Sequence, residues 1–337
     1  MYNIKKIGHR GKVLLYPTLP SIVSFQEVSE LLMLSREQFE QAEEQIKGVA
    51  RDIDKAIFDH HFHGLESEGV IECLSQYQNR DGGFGNALEP DFRLPSSSAM
   101  ATSIALRILY SLPDREATES MALSAIDYLE CTFDMAREGW LAVPPYVNLH
   151  PHAPWWHYDN NKEMTAIDEH WGNPSAELIG YIYGYRDLVD TLDVDALVNV
   201  ALEKFRGRQE YSSPHELYCY IRLYEALPER ISTLFENDIT KAVEQLVCLD
   251  ADKWDRYNPR PLDFVPTSNS NRFGLGDDAI DRNLDYIIDM LRKDGIIKPH
   301  WGNEIYSGQM ASAYDEWLGQ LSVRSLVVLG SFSRIEK

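Results

Sequence analysis

The chain has 337 residues, of which 44% are hydrophobic and 25% charged, so it can bury a substantial core and is not a disordered protein over most of its length. Its formal net charge of −21 argues against a nucleic-acid partner, because binding to phosphates needs clustered Lys and Arg. No stretch approaches the ~20 apolar residues that cross a bilayer. Four scattered cysteines without a Cys-x-x-Cys pair are typical of a reduced, cytoplasmic protein.

Residues 1–34 are predicted to form an extended N-terminal arm, because Pro17 and Pro20 interrupt their apolar run and no small-residue cleavage site follows. Ser35 then begins a helix as a cap, with Gln38 three residues on completing a capping box. Apolar residues at helical spacing continue to about His63, which predicts one long amphipathic helix. We expect residues 35–337 to form a single domain.

Further helices are predicted along the rest of the chain, and almost no alternation of period two competes with them. Their approximate ranges are 67–77, 98–112, 117–135, 174–192, 194–206, 214–227, 231–248, 278–291 and 313–333. The sequence therefore predicts an all-α protein.

Two features indicate a repetitive architecture with elaborated connections. The tetrapeptide His-Trp-Gly-Asn occurs at 170–173 and again at 300–303, which predicts two equivalent corners of the fold. The connections 139–172 and 250–276 are long and rich in Pro and aromatic residues. Loops of more than ~15 residues in a compact domain are usually functional or disordered, and the aromatic content favours a functional wall or lid.

A known repeat is visible between the second and third predicted helices. Leu74, Gln78, Gly82 and Phe84 match the Leu-x3-Gln-x3-Gly-x-aromatic core of the QW repeat. The chain thus resembles the α/α-toroid superfamily of squalene and terpenoid cyclases and protein prenyltransferase β subunits, including uncharacterised bacterial members. The resemblance implies a toroid of five to six helix pairs, inner helices that line a central cavity, and long aromatic loops over one mouth.

The acidic segment after this corner is the candidate catalytic element. Glu89 and Asp91 flank a proline, and Arg93 follows them. If Arg93 keeps one carboxylate ionised while burial raises the pKa of the other, the pair contains a proton donor beside the cavity. In the alternative interpretation, both acids cap the helix that begins near Ser98 and pair with Arg93.

Other polar and aromatic side chains at corners and helix starts are candidates to contact a ligand. They are Arg93, Trp155, Trp156, Asn173, Glu177, Glu216, Asp263 and Trp301. The adjacent tryptophans offer flat surfaces to sugars or carbocations, or else one of them anchors its loop. The glutamates either face the cavity or act as helix caps. No cofactor or metal is predicted, since phosphate-binding glycine motifs are absent and the histidine spacing is weak.

Three functional classes remain open at this point, each with a small molecule, apolar or carbohydrate, in a central cavity. The first is a terpenoid-cyclase-like or prenyltransferase-like enzyme that uses the acid pair and aromatic walls, although the Asp-x-Asp-Asp motif of such cyclases is absent. The second is a carbohydrate-active α/α-barrel hydrolase or lyase. The third is a non-catalytic toroid that binds a ligand or peptide.

Overall fold

A computed structural model describes residues 31–336 of the chain, and all regular structure in that range is helical. Most of the predicted N-terminal arm therefore lies outside the described residues. At its end, Leu34 forms a parallel bridge with Ile335, which ties the start of the described chain to its end. The α-helices are α1 (Arg36–Val49), α2 (Asp52–Phe62), α3 (Ser67–Ser75), α4 (Ala99–Ser111), α5 (Arg115–Cys131), α6 (Gly172–Gly184), α7 (Val194–Phe205), α8 (Pro214–Ala226), α9 (Glu229–Ser232), α10 (Glu236–Leu246), α11 (Pro261–Phe264), α12 (Asp277–Asp294) and α13 (Ala311–Ser331).

The first predicted helix is in fact two helices. Ser35 and Gln38 form the expected capping box, but Ala50 and Arg51 adopt extended backbone angles that separate α1 from α2. Gly319 of α13 lies against this break, and a Cβ atom at Gly319 would come within 2.6 Å of the Ala50 Cα. The prediction of one long helix was wrong because the apolar residues keep their helical spacing across the break. The sequence pattern therefore does not reveal where the first helix ends.

The remaining helix predictions agree with the structure within a few residues, with three exceptions. The helix predicted over 174–192 ends at Gly184, and only a short 3-10 turn at Arg186–Leu188 follows it. The segment 231–248 is divided into α9 and α10 by a turn at Thr233–Phe235, and the short helix α11 inside the second aromatic connection was not predicted. Pro261 at its first position and the Asp263 carboxylate, which accepts from the Arg260 backbone N–H at 2.9 Å, explain α11 locally.

The contacts between helices follow chain order. α4 packs against α5 and α6, α6 against α7 and α8, and α8 against α10 and α11. α11 packs against α12, and α13 packs against both α1 and α2, so the last helix lies beside the first two. Within residues 31–336, no helix combines the length and apolar character needed to cross a bilayer.

Each aromatic connection contains a buried tryptophan whose indole N–H is hydrogen-bonded to a backbone carbonyl. The Trp140 indole N–H donates to the Leu129 carbonyl at 2.8 Å, and the Trp254 indole N–H donates to the Cys248 carbonyl at 2.8 Å. Both side chains are 1% exposed. A buried indole with a hydrogen-bond partner holds a long loop in one place, so Trp140 and Trp254 each fix the position of their own connection.

The two His-Trp-Gly-Asn corners have different local structures. The first runs directly into α6, and its Trp171 donates to the Arg137 carbonyl at 3.0 Å. The second is followed by a further loop before α13, and its Trp301 donates to the Tyr306 hydroxyl. The repeated tetrapeptide therefore makes unlike contacts at its two positions.

Candidate active site

The glycine corner before the acid pair has the geometry that its sequence predicts. Gly82 has a φ of +86°, and a Cβ atom there would approach the Ser124 carbonyl oxygen to 2.1 Å. The Gln78 amide donates to the Gly82 carbonyl at 3.0 Å, and Phe84 is fully buried. Beyond the corner, Arg51 donates to the Leu88 carbonyl at 2.8 Å and so fixes the backbone immediately before Glu89.

Glu89 and Asp91 are both buried, at 8% and 4% exposure. Asp91 Oδ1 accepts hydrogen bonds from the Tyr306 hydroxyl at 2.8 Å and the Trp317 indole N–H at 2.7 Å. Glu89 Oε1 accepts only from the Asp91 backbone N–H, at 3.3 Å, among the contacts of the described residues. The two carboxyls thus lie side by side in very different surroundings.

This asymmetry determines which group holds a proton. Burial, with a further contribution from the charge of Asp91, raises the pKa of Glu89 to about 8, although Arg51 and Arg107 oppose the shift. The pKa of Asp91 is also raised, because burial outweighs the hydrogen bonds from Trp317, Tyr306 and Trp155 that stabilise its ionised form. Since Asp91 has several donors and Glu89 has one, we assign the proton at neutral pH to Glu89 and the negative charge to Asp91.

Arg93 was expected to hold one acid of the pair ionised, but it pairs with a different carboxylate. Its guanidinium makes a two-pronged ion pair with Glu316 of α13, at 2.7 and 2.9 Å, and so does not hold either acid of the pair ionised. Tyr306 and Trp317 take that role for Asp91. The alternative that the acids cap the next helix is also wrong, because Ser98 caps α4 by accepting from the Ala101 N–H at 3.1 Å.

The first aromatic connection is hydrogen-bonded to the acid segment. The Ala153 N–H donates to the Asp91 carbonyl at 2.8 Å, and the Arg93 N–H donates to the Pro151 carbonyl at 2.8 Å. Trp155 is two residues after Ala153, and its hydrogen bond to Asp91 lowers the pKa of that carboxyl. Trp156 points elsewhere, since it is 5% exposed and packs edge-on against Phe92 at 5.1 Å. Of the two candidate stacking residues, Trp155 remains available and Trp156 anchors the loop.

An aromatic wall that sequence reasoning only partly identified completes this end of the site. Trp301, a predicted ligand contact, packs edge-on against Trp317 at 5.0 Å and against Tyr257 at 5.7 Å. Tyr306, Trp317 and Tyr257 were not predicted. A signal for Tyr306 and Trp317 existed, because both follow the second His-Trp-Gly-Asn motif, but nothing in their spacing indicated that they donate to Asp91.

Charged residues from three helices occupy the adjoining region. Glu177 of α6 is 1% exposed and pairs with Arg107 of α4 and with Arg222 of α8, each at 2.9 Å. The charges of these arginines outweigh burial and lower the pKa of Glu177. Arg107 also lowers the pKa of Glu89, so the ion-pair cluster and the acid pair share one interior region.

Asp263 belongs to the second aromatic connection and lies beside this charged region. It lies 3.7 Å from Arg260 and 3.6 Å from Arg324 of α13. Tyr257 lies between the two ends of the site, with its side chain 59% exposed and its hydroxyl hydrogen-bonded to His215. Partial desolvation of the hydroxyl, together with the charges of Asp263, Asp91 and Glu89, raises its pKa to about 12.

The last two predicted ligand contacts have structural roles instead. Glu216 accepts from the Gly172 N–H at 3.0 Å and pairs with Arg208 at 2.8 Å, and Ser213 caps the same helix. Asn173 is buried, and its side-chain amide oxygen Oδ1 accepts from the Cys219 thiol at 3.7 Å. Both residues therefore join α6 to α8.

Chemically, the site combines a protonated carboxyl, a hydrogen-bonded carboxylate, indole and phenol surfaces, and a cluster of arginines. Within the described part of the chain, no group of three His, Cys, Asp or Glu side chains is arranged to hold a metal ion. Comparisons of the chain with protein-family models, curated proteins and solved structures find no match. The geometry therefore carries the functional argument.

Proposed function

We propose that the helices form an α/α toroid of six pairs. The pairs are α1 with α2, α3 with α4, α5 with α6, α7 with α8, α10 with α11, and α12 with α13. Contacts of α4, α6, α8 and α11 in succession, and the return of α13 to α1 and α2, support closure. In such a ring the second helix of each pair faces the centre, which is consistent with Arg107, Glu177 and Arg222 meeting there.

We further propose that the protein is a carbohydrate-active enzyme, a hydrolase or lyase that works by acid–base catalysis. The main support for this proposal is that Glu89 is a buried carboxyl with its pKa raised to about 8 and lies beside the hydrogen-bonded Asp91. A neutral carboxyl at pH 7 can protonate the oxygen that leaves the sugar, while its ionised neighbour stabilises developing positive charge or takes up a proton. Trp155 and Trp301 supply faces for sugar rings.

The charged surroundings favour a polar substrate over an apolar one. Glu177, Arg107, Arg222, Asp263 and Arg324 surround the region next to the acid pair, and a prenyl chain there would remove these charges from water without replacing that hydration. A sugar, with several hydroxyls around its ring, can accept from the guanidiniums and donate to the carboxylates.

A terpenoid-cyclase-like activity is the second candidate. The observation in its favour is the aromatic wall of Trp301, Trp317 and Tyr257, whose π faces can stabilise a carbocation next to a protonated acid. In this case the arginines would bind a diphosphate at the end of an otherwise apolar chain. We propose a cytoplasmic location for either enzyme, in keeping with the free thiols of all four cysteines.

Ligand classes that stabilise the protein against heat distinguish these candidates, because a ligand raises the melting temperature when it binds the folded state preferentially. We expect oligosaccharides to raise Tm and prenyl diphosphates to leave it unchanged. With an oligosaccharide that is turned over, Glu89→Gln should reduce kcat by about 10²–10⁴-fold, as is typical for loss of a general acid. Trp155→Ala should mainly raise KM.

Glu119→Gln is the matched control, since Glu119 is an exposed residue of α5. It should leave kcat and Tm unchanged. Stabilisation by prenyl diphosphates alone would support the cyclase. If neither ligand class raises Tm and Glu89→Gln has no measurable effect, the non-catalytic toroid is the better description.

A further inference from the structure

A small pocket lies between α11, α12 and α13, beside the charged region of the candidate site. It has a volume of about 50 Å³, which is enough for a few water-sized groups. The polar residues that line it are Arg260, Asp263, Asn283, His300, Arg324 and Ser325. Its size and lining suit one charged substituent of a larger molecule and not a whole sugar ring.

Arg324 is the least satisfied charge in this pocket. The nearest carboxylate oxygen, on Asp263, is 3.6 Å away, and Arg324 makes no hydrogen bond to any of the described residues. Its side chain is 49% exposed, although burial lowers its pKa and the charges of Arg222 and Arg107 lower it further. Water therefore reaches the Arg324 side chain, although protein atoms and other positive charges surround it. Arg324 lines an internal space.

Asn283 supplies an independent indication of a missing partner. It is 1% exposed, and its side-chain oxygen accepts from the Leu262 N–H at 2.9 Å, which fixes the orientation of the amide. The amide nitrogen then has no hydrogen-bond partner in residues 31–336. A buried N–H donor without a partner is energetically unfavourable, so a group that accepts from it would bind favourably.

The charge balance specifies the sign of that group. Four guanidiniums, those of Arg107, Arg222, Arg260 and Arg324, share two carboxylates, those of Glu177 and Asp263. His300 contributes no charge to this balance: burial and the charge of Arg260 lower its pKa to about 4, so its imidazole is neutral at pH 7. In a chain with a net charge of −21, this excess of positive charge is a local exception that can attract an anion.

We propose that this pocket binds the anionic substituent, a carboxylate or a phosphate, of an acidic sugar substrate, with Arg324 pairing to it and the Asn283 amide donating to it. This assignment depends on the proposed function and defines its substrate class. The acidic group enters between α12 and α13, while the sugar ring extends toward Tyr257 and the acid pair. Asp263, the one carboxylate in the pocket, is held by the Arg260 backbone N–H at 2.9 Å and can accept from a sugar hydroxyl.

The test is calorimetric binding of matched sugars to the full chain at low ionic strength. D-galacturonate and D-galactose 6-phosphate carry the two candidate anions, and D-galactose is their neutral counterpart. A charge-assisted hydrogen bond discriminates by about 10-fold to 100-fold, so one of the acidic sugars should bind more tightly than galactose by at least that lower factor. The tighter ligand identifies the anion as a carboxylate or a phosphate.

Variants connect the binding to the pocket. Arg324→Met should reduce the affinity for the acidic sugar to that for galactose, and Arg324→Lys should retain part of the difference. Arg256→Gln removes an arginine with a side-chain exposure of 78% outside the pocket and should change nothing. Equal affinity for all three sugars, no binding of either acidic sugar, or unchanged binding by Arg324→Met would overturn the proposal.

The two hypotheses can fail separately because this assay does not depend on turnover. If acidic sugars bind through Arg324 but Glu89→Gln has no effect on any cleavage, the anion site stands and the catalytic proposal falls. If neutral oligosaccharides are cleaved in a Glu89-dependent way and acidic ones are ignored, the reverse holds.

Discussion

Replacement of Glu89 by glutamine should make the protein more stable, and the gain should depend on pH. The pKa of Glu89 rises from 4.5 in the unfolded chain to about 8 in the folded protein. Between these values the folded state holds a proton that the unfolded state has released, so the free energy of unfolding of the wild type falls as pH rises. One pKa unit corresponds to about 1.36 kcal/mol, so the full loss above pH 8 is up to about 5 kcal/mol.

Glutamine has no proton to lose, and its amide oxygen can still accept from the Asp91 N–H. The difference in unfolding free energy, variant minus wild type, should therefore be near zero at pH 4.5 and increase to several kcal/mol by pH 8 to 9. Urea unfolding at unit pH intervals from 5 to 9 measures this difference. Glu119→Gln, an identical replacement at an exposed position of α5, serves as the control and is measured over the same pH range.

A constant difference between the wild type and Glu89→Gln across this pH range would show that Glu89 is ionised throughout. Glu89 would then not be a neutral proton donor at pH 7. A gain in stability at high pH together with lost turnover is the combination that a buried catalytic acid predicts, because the burial that raises its pKa destabilises the fold.

Three further substitutions test other contacts. Trp317→Phe removes one donor to Asp91, so the pKa of Asp91 should rise, the pH profile of any activity should shift upward, and stability should fall by about 1 kcal/mol. Glu177→Gln leaves two arginines without their shared carboxylate and should cost about 2–4 kcal/mol in urea unfolding. Gly319→Val places a side chain against the Ala50 backbone and should cost about 1–3 kcal/mol in thermal unfolding.

Each of these has a matched control. Trp171→Phe loses an indole donor to a backbone carbonyl and should leave the pH profile unchanged. Glu169→Gln breaks an exposed ion pair with Lys162 and should cost less than about 1 kcal/mol. Gly48→Ala meets no atom within 4 Å and should stabilise α1 by up to about 1 kcal/mol. If control and test substitutions have equal effects, the corresponding contact does not carry the role assigned to it.

The sequence predicted the helices and the acid pair because both depend on local information. Apolar spacing indicates a helix wherever it lies in the fold, and Ser35 and Ser98 act as caps through neighbours three residues away. The glycine corner before Glu89 also requires only nearby residues, since Gln78 and Gly82 contact each other directly. These features could be inferred without knowledge of any distant contact.

The partners of the acids could not be inferred in this way. Arg93 pairs with Glu316, and Asp91 accepts from Trp317, across more than two hundred residues of chain. Proximity in sequence suggested that Arg93 serves the acids beside it, whereas a long side chain on an extended segment can reach another helix equally well. The break at Ala50 has the same origin, because Gly319, which packs against it, lies at the other end of the described chain.

The pair of backbone hydrogen bonds between Asp91 and Ala153 and between Arg93 and Pro151 makes two distant stretches of chain a single mechanical unit. Trp155, two residues beyond this joint, cannot be displaced far without pulling on the peptide that carries the acid. A deletion or graft within 139–172 would therefore alter the position of Asp91 as well as the surface that the loop presents. Engineering of this protein toward other ligands should begin in the second aromatic connection, 250–276, whose backbone is not bonded to the acid segment within the described residues.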